Sequence, residues 1–149
     1  MNDVLLRFVL YGIGGWCGEI LWTAIRDRVG GRVSDWKLRG TTYLWMFPLY
    51  GSIVFLYEPI HDVLRPAPWV ARGLVYTLGF FAAEYLSGWL IKRLTGSCPW
   101  DYSPWSRFSI NGYIRLDYAP IWLLVGLGLE PIHDGLVRLT PLLRAGLGG

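Results

Sequence analysis

Apolar residues dominate four stretches of the chain, at 4–25, 43–60, 70–91 and 118–136. Each is roughly 20 residues long, enough for a helix to cross a bilayer core at a rise of about 1.5 Å per residue. Polar and charged residues collect between them, in segments 26–42 and 92–117 and in a short connector that carries Pro66 and Pro68. The alternation predicts four membrane helices joined as two hairpins.

The two hairpins repeat one another. The pentapeptide Glu-Pro-Ile-His-Asp closes the first at 58–62 and the second at 130–134. An offset of 65 positions relates Tyr11, Gly14 and Glu19 to Tyr76, Gly79 and Glu84. An offset of 72 relates Arg39-Gly40 to Asn111-Gly112, Pro48 to Pro120, and the two pentapeptides. The difference is a longer middle loop in the second half, around Cys98. Small residues four apart, Gly14 with Gly18 and Gly79 with Ala83, favour close helix packing.

The expected fold is therefore an all-α membrane protein of four transmembrane helices, 1–149 forming one domain. Repeat 1 covers about 4–65 and repeat 2 about 69–138. Two hairpins entering in the same direction make a parallel repeat, with a pseudo-two-fold axis along the membrane normal.

Composition agrees. Only 17% of residues are charged and 53% are hydrophobic, where a soluble domain carries about a quarter charged residues. The first apolar run continues past Glu19 without a small-residue cleavage site, so it is expected to be a retained span. Segments 26–42 and 92–117 hold nine of the fourteen Lys and Arg residues. The positive-inside rule then puts these loops in the cytoplasm and both termini outside the cell membrane. The spread of arginines over loop ends offers no nucleic-acid surface, and Cys17 and Cys98 are expected to be reduced thiols too far apart to bond.

Candidate chemistry begins with Glu19 and Glu84, because a carboxylate within an apolar span must be paired, neutralised or hydrated. Helix rise puts each about 21 Å from the terminus-bearing face. Gly12, Gly15, Glu19 and Thr23 share a helical stripe, and Tyr76, Phe80 and Glu84 share its counterpart. Arg39 and Arg115 precede the second and fourth spans, so one reading is two Glu–Arg pairs holding helices in register. The other is a substrate, ion or proton site between helices 1 and 3. The loop after Cys98 adds Trp100, Tyr102 and Trp105 as headgroup-zone rings. Asp101, Asn111 and Arg115 are polar groups that suit a phosphate or carboxylate.

The pentapeptides contain Glu58-x-x-His61 and Glu130-x-x-His133. With Glu19 and Glu84 they reproduce the ligand order of ferritin-like di-metal bundles. Depth argues against that site, since the histidines belong to the face about 20 Å away. Pro59 and Pro131 are expected to break or restart the helix. Each copy then reads as a helix-ending cap with an interfacial histidine. A smaller metal site made by the two copies alone is the remaining alternative. No metal or other cofactor is expected, and no Walker or nucleophile-elbow motif occurs.

A family resemblance rests on Tyr11-Gly12-x-x-Gly15-Trp16-x-x-Glu19, Arg39-Gly40, Pro48-x-Tyr50-Gly51, Glu84, Trp100-Asp101-Tyr102-Ser103 and Asn111-Gly112. These resemble the CmpB-like family of ABC-transporter permeases in bacteria. Cys98 to Ser103, with Leu116-Asp117-Tyr118-Ala119, is also similar to the transmembrane protein 229 family of animals. The resemblance implies a multi-pass membrane protein and, for an ABC-type role, a separate ATPase with oligomerisation. Members of the bacterial family carry Asn-Gly-Arg where this chain has Asn111-Gly112-Tyr113.

The leading functional expectation is a small transporter or permease-type subunit, a possible homodimer in the lipid bilayer. Glu19 and Glu84 would bind a cation or proton, and Arg39, Asp101, Asn111 and Arg115 would line the mouth. The alternative is a membrane enzyme using the carboxylates on a lipid or isoprenoid. A third reading is a scaffold in which the acids serve assembly alone.

Overall fold

The computed structural model describes residues 2–147. It is mainly helical, with α1 (Asp3–Val29), α2 (Met46–Gly51), α3 (Ile53–Leu64), α4 (Trp69–Thr95) and α5 (Ala119–Leu147). A two-stranded antiparallel ribbon, β1 (Ser109–Ile110) with β2 (Ile114–Arg115), precedes a 3-10 turn at Leu116–Tyr118. The chain forms two compact units, Met1–Glu58 with Leu136–Gly149, and Pro59–Gly135.

The first unit is organised by α1. Asn2 caps it by accepting from the Leu5 amide at 2.7 Å, and Asp3 at the start and Arg26 and Arg28 at the end suit the helix dipole. The following loop is stitched to the helix: Thr23 Oγ1 accepts from the Thr41 amide at 2.8 Å and lies 3.0 Å from the Thr41 carbonyl as donor. Gly40 makes this approach possible, because a Cβ there would overlap the Ile20 carbonyl. Trp16 Nε1 donates to the Tyr43 carbonyl at 3.0 Å, and the Phe8 ring meets Phe47 and Phe55. At the far end of the chain, Arg144 pairs with Asp3 at 3.0 Å.

The second unit is organised by α4, which ends on Gly96 in the left-handed region at φ +84°. Its core includes Tyr76, Ile91, Tyr113 and Ile114. The ribbon turns at Asn111 and Gly112, both with positive φ (54° and 79°), the sign pattern of primed hairpin turns.

Two helices, α1 and α4, are long and apolar enough to cross a membrane. Only 17% and 22% of their most apolar windows are buried, so they are not the enclosed core helices of a soluble domain. Leu21, Ile25, Leu78 and Leu86 instead point outward. The other two expected spans differ from the sequence pattern. The second is divided into α2 and α3, although the Ser52 amide still reaches the Pro48 carbonyl at 2.9 Å and the Ser52 carbonyl receives Leu56 at 3.0 Å. The fourth, α5, has 29 residues but holds Glu130, His133 and Asp134 within its apolar run.

The prolines also behave differently from expectation. α3 runs through Pro59 to Leu64, and α5 runs through Pro131 to Leu147. A proline removes one amide donor and crowds the carbonyl four residues back. In both helices the chain stays helical past the proline, and the glutamate before each proline is tied down by an arginine; the first copy still lies in the last turns of α3, whereas the second sits mid-helix in α5 and is not a helix-ending cap.

Candidate functional site

Glu84 sits on α4 with an uncharged donor on each carboxylate oxygen. The Tyr102 hydroxyl donates to Oε1 at 3.0 Å, and Trp122 Nε1 donates to Oε2 at 3.2 Å. The loop that delivers Tyr102 is held from several sides. The Tyr102 amide donates to the Gly112 carbonyl at 2.9 Å, Trp100 Nε1 donates to the Tyr113 carbonyl at 3.1 Å, and Asp101 Oδ1 accepts from the Ser103 amide at 2.9 Å. A Cβ on Gly112 would occupy the place of the Asp101 carboxylate and the Ser103 hydroxyl. Asn111 Nδ2 donates to the Tyr85 hydroxyl at 2.8 Å.

Electrostatics reinforce this arrangement. Burial, followed by the nearby Glu84 carboxylate, pushes the Tyr102 phenol far above its ordinary range, so it stays a proton donor. The Ser103 hydrogen bonds hold Asp101 below the usual carboxylate range. Arg115 pairs with Asp117 and lowers it in the same way. The Arg115 guanidinium lies 4.1 Å from the Tyr118 ring centre and 5.9 Å from that of Tyr102. Burial raises the Cys98 thiol, which favours its neutral form.

Glu19, on α1, has a comparable setting within its own unit. Thr42 Oγ1 donates to Oε2 at 2.5 Å, and the Tyr50 hydroxyl is a second donor. Tyr50 and Trp122 are 72 positions apart, the offset that separates the pentapeptides. Arg39 does not reach the carboxylate; it pairs with Asp35 at 2.8 Å on the exposed loop. Among the described residues, neither Glu19 nor Glu84 has an arginine or lysine in ion-pair range. The Glu19–Arg39 and Glu84–Arg115 pairs, one of the two readings of these acids from sequence, are thus replaced by Arg39–Asp35 and Arg115–Asp117, because an acid nearby in sequence captures each arginine at little entropic cost.

The arginine–glutamate pairs occur elsewhere. Arg7 Nε and Nη2 donate to the two oxygens of Glu58 at 2.9 and 3.1 Å. Arg72 Nε and Nη2 do the same for Glu130 at 2.7 and 2.9 Å. Both are bidentate forks, the strong form of the interaction. Sequence reasoning passed over them, yet the signal was present: Arg7 and Arg72 are 65 apart, as are Glu19 and Glu84. The histidines of the two pentapeptides also meet, with ring centres 5.1 Å apart.

A family model described as "Putative ABC-transporter type IV" matches residues 6–142. The chain belongs to this family. No solved structure matches it. The match to the ABC-transporter type IV family covers both acid sites, both arginine forks and the whole Cys98–Asp117 loop. Together with the two span-length helices, it is consistent with a transport-related membrane protein. Of the residues singled out from sequence, Glu84, Asp101, Asn111 and Arg115 lie in or beside the loop that carries Tyr102. Glu19 has its own donors, and Arg39 stands apart on Asp35.

Proposed function

We propose that the chain is a permease-type subunit in which Glu19 and Glu84 are cation- or proton-binding groups. One contrast carries the reading. Glu58 and Glu130 each have an arginine that cancels their charge, whereas Glu19 and Glu84 have only hydroxyl and indole donors. A carboxylate in an apolar helix with no directly paired counter-charge has a use for a mobile one, either a proton or a small cation; Arg26 acts on Glu19 only from a distance. Tyr102, Trp122 and Thr42 orient the oxygens without supplying that charge.

In this reading the chain crosses the membrane four times as two equivalent hairpins. The recurrence of the same partner positions at offsets of 65 and 72 supports it. Family membership supports a separate ATPase as partner, since no phosphate-cradling loop occurs in the sequence.

Purified protein in liposomes, with and without the partner ATPase, tests the proposal by proton- and cation-flux assays. Glu19→Gln and Glu84→Gln should each lower flux at least tenfold while the protein remains folded. Full flux in the double variant would overturn the assignment of both acids.

A further inference from the structure

The repeated pentapeptide brings a second set of groups together, apart from Glu19 and Glu84. One ligand atom each from His61, His133 and Asp134 lies within 4.8 Å of the others. Both histidines are only 2% exposed. The two copies cross: His133 Nε2 is 3.4 Å from Asp62 Oδ1, and His61 Nε2 is 4.0 Å from Asp134 Oδ1.

The hydrogen-bond chain behind His61 decides which nitrogen carries its proton. Glu130, forked by Arg72, can only accept, so the Tyr76 hydroxyl spends its single hydrogen on Glu130 Oε1 at 3.1 Å. The same hydroxyl lies 2.8 Å from His61 Nδ1 and must accept there. Nδ1 therefore bears the hydrogen, and Nε2 of the neutral ring presents its lone pair towards Asp134. A lone pair facing a carboxylate is repulsive unless a cation offsets it; Arg65 on Asp134 does so from one side, and a metal ion between the two would do so directly. An imidazole whose second nitrogen donates into a carboxylate-linked network is the usual outer support of a metal ligand.

We propose that His61, His133 and Asp134, with Asp62 completing the set, bind one divalent first-row transition ion of the zinc type. Two imidazoles and carboxylate oxygens suit such an ion. Tetrahedral ligands at about 2.0–2.1 Å from the ion stand about 3.4 Å apart, so the longest separation among His61, His133 and Asp134 closes by little more than an ångström on binding, while the exposed Asp62 carboxylate joins from outside that cluster. Arg65 pairs with both Asp134 and Asp62 and competes with the ion for those carboxylates. Tyr76, Glu130 and Arg72 position His61 without touching the metal. The site depends on residues 59–135 alone and stands independently of the transport reading.

Tag-free, full-length protein in detergent is titrated with Co2+ and followed by d–d absorption, with Zn2+ competition and metal content by mass spectrometry. The expected result is one ion per chain with a nitrogen-ligated, low-symmetry cobalt spectrum. His61→Ala and His133→Ala should each weaken binding at least 100-fold, Tyr76→Phe about 10- to 100-fold, and Arg65→Gln should tighten it. Circular dichroism and gel filtration check that each variant is folded, and the Gln variants of both histidines replace any Ala variant that is not. Absence of uptake at 100-fold molar excess, or uptake that persists in the folded double-histidine variant, overturns the proposal.

Discussion

Four glutamates of the apolar helices divide into two kinds. Glu58 and Glu130 are forked by Arg7 and Arg72, with side-chain exposures of 8% and 18%. Removing one member of such a pair strands the other charge away from water, which costs about 3–5 kcal/mol when burial is deep. Arg72→Ala should therefore lower the unfolding temperature in detergent clearly, and pairing it with Glu130→Gln should recover much of the loss. A double-mutant cycle reads this directly, and additive effects would show that the fork contributes nothing. Glu84 is held differently. Tyr102→Phe removes the donor to Oε1, and about 1–3 kcal/mol of stability is expected to go with it. Adding Glu84→Gln should reduce that loss, as measured by thermal unfolding.

At the scale of elements, the segment from Cys98 to Asp117 carries a carboxylate-dependent hold of its own. Asp101 and Asp117 both have carboxyl groups lowered in the folded protein, by the Ser103 hydrogen bonds and by the Arg115 hydrogen bond respectively. A depressed folded value means that the stabilisation is complete above the unfolded value of about 3.9 and is lost as pH falls through the folded value. Hydrogen-exchange protection in this segment, taken relative to the intrinsic amide rate at each pH, should be flat from neutral pH to about pH 5 and fall below about pH 4. Protection that falls between pH 7 and pH 5 would contradict that account. Gly112→Ala faces both a positive φ and the Asp101 carboxylate, and should cost about 1–3 kcal/mol while loosening Tyr102 from Glu84. The loop's importance was legible from its Trp-Asp-Tyr-Ser run. Its reach to Glu84 was not, because that contact joins residues 18 positions apart and relies on the loop being pinned from beyond, where the Tyr102 amide meets the Gly112 carbonyl.

For the whole molecule, the apolar surfaces of α1 and α4 predict that the protein stays in the membrane pellet after alkaline carbonate extraction and needs detergent to leave it. Release into the supernatant would contradict membrane spanning. The helical architecture was legible in the apolar runs, since a run of about 20 such residues has few alternatives to a membrane helix. The chain by itself also determined which acids are anomalous: Glu19 and Glu84 stand in apolar helices whatever packs around them. Their partners were a different matter. Arg39 and Arg115 lay at plausible distances along the chain but found Asp35 and Asp117, because local pairs form before long-range ones can compete. The pentapeptides read as terminal caps because proline disfavours helix interiors. Tertiary packing outweighed that preference, carrying both helices past their prolines and turning Glu58 and Glu130 into arginine forks. Helix position and charge anomaly are properties of one segment, and sequence records them. Which arginine forks Glu58 or Glu130, and that His61 meets His133, depends on side chains converging from segments more than 50 residues apart, and only the folded chain decides that.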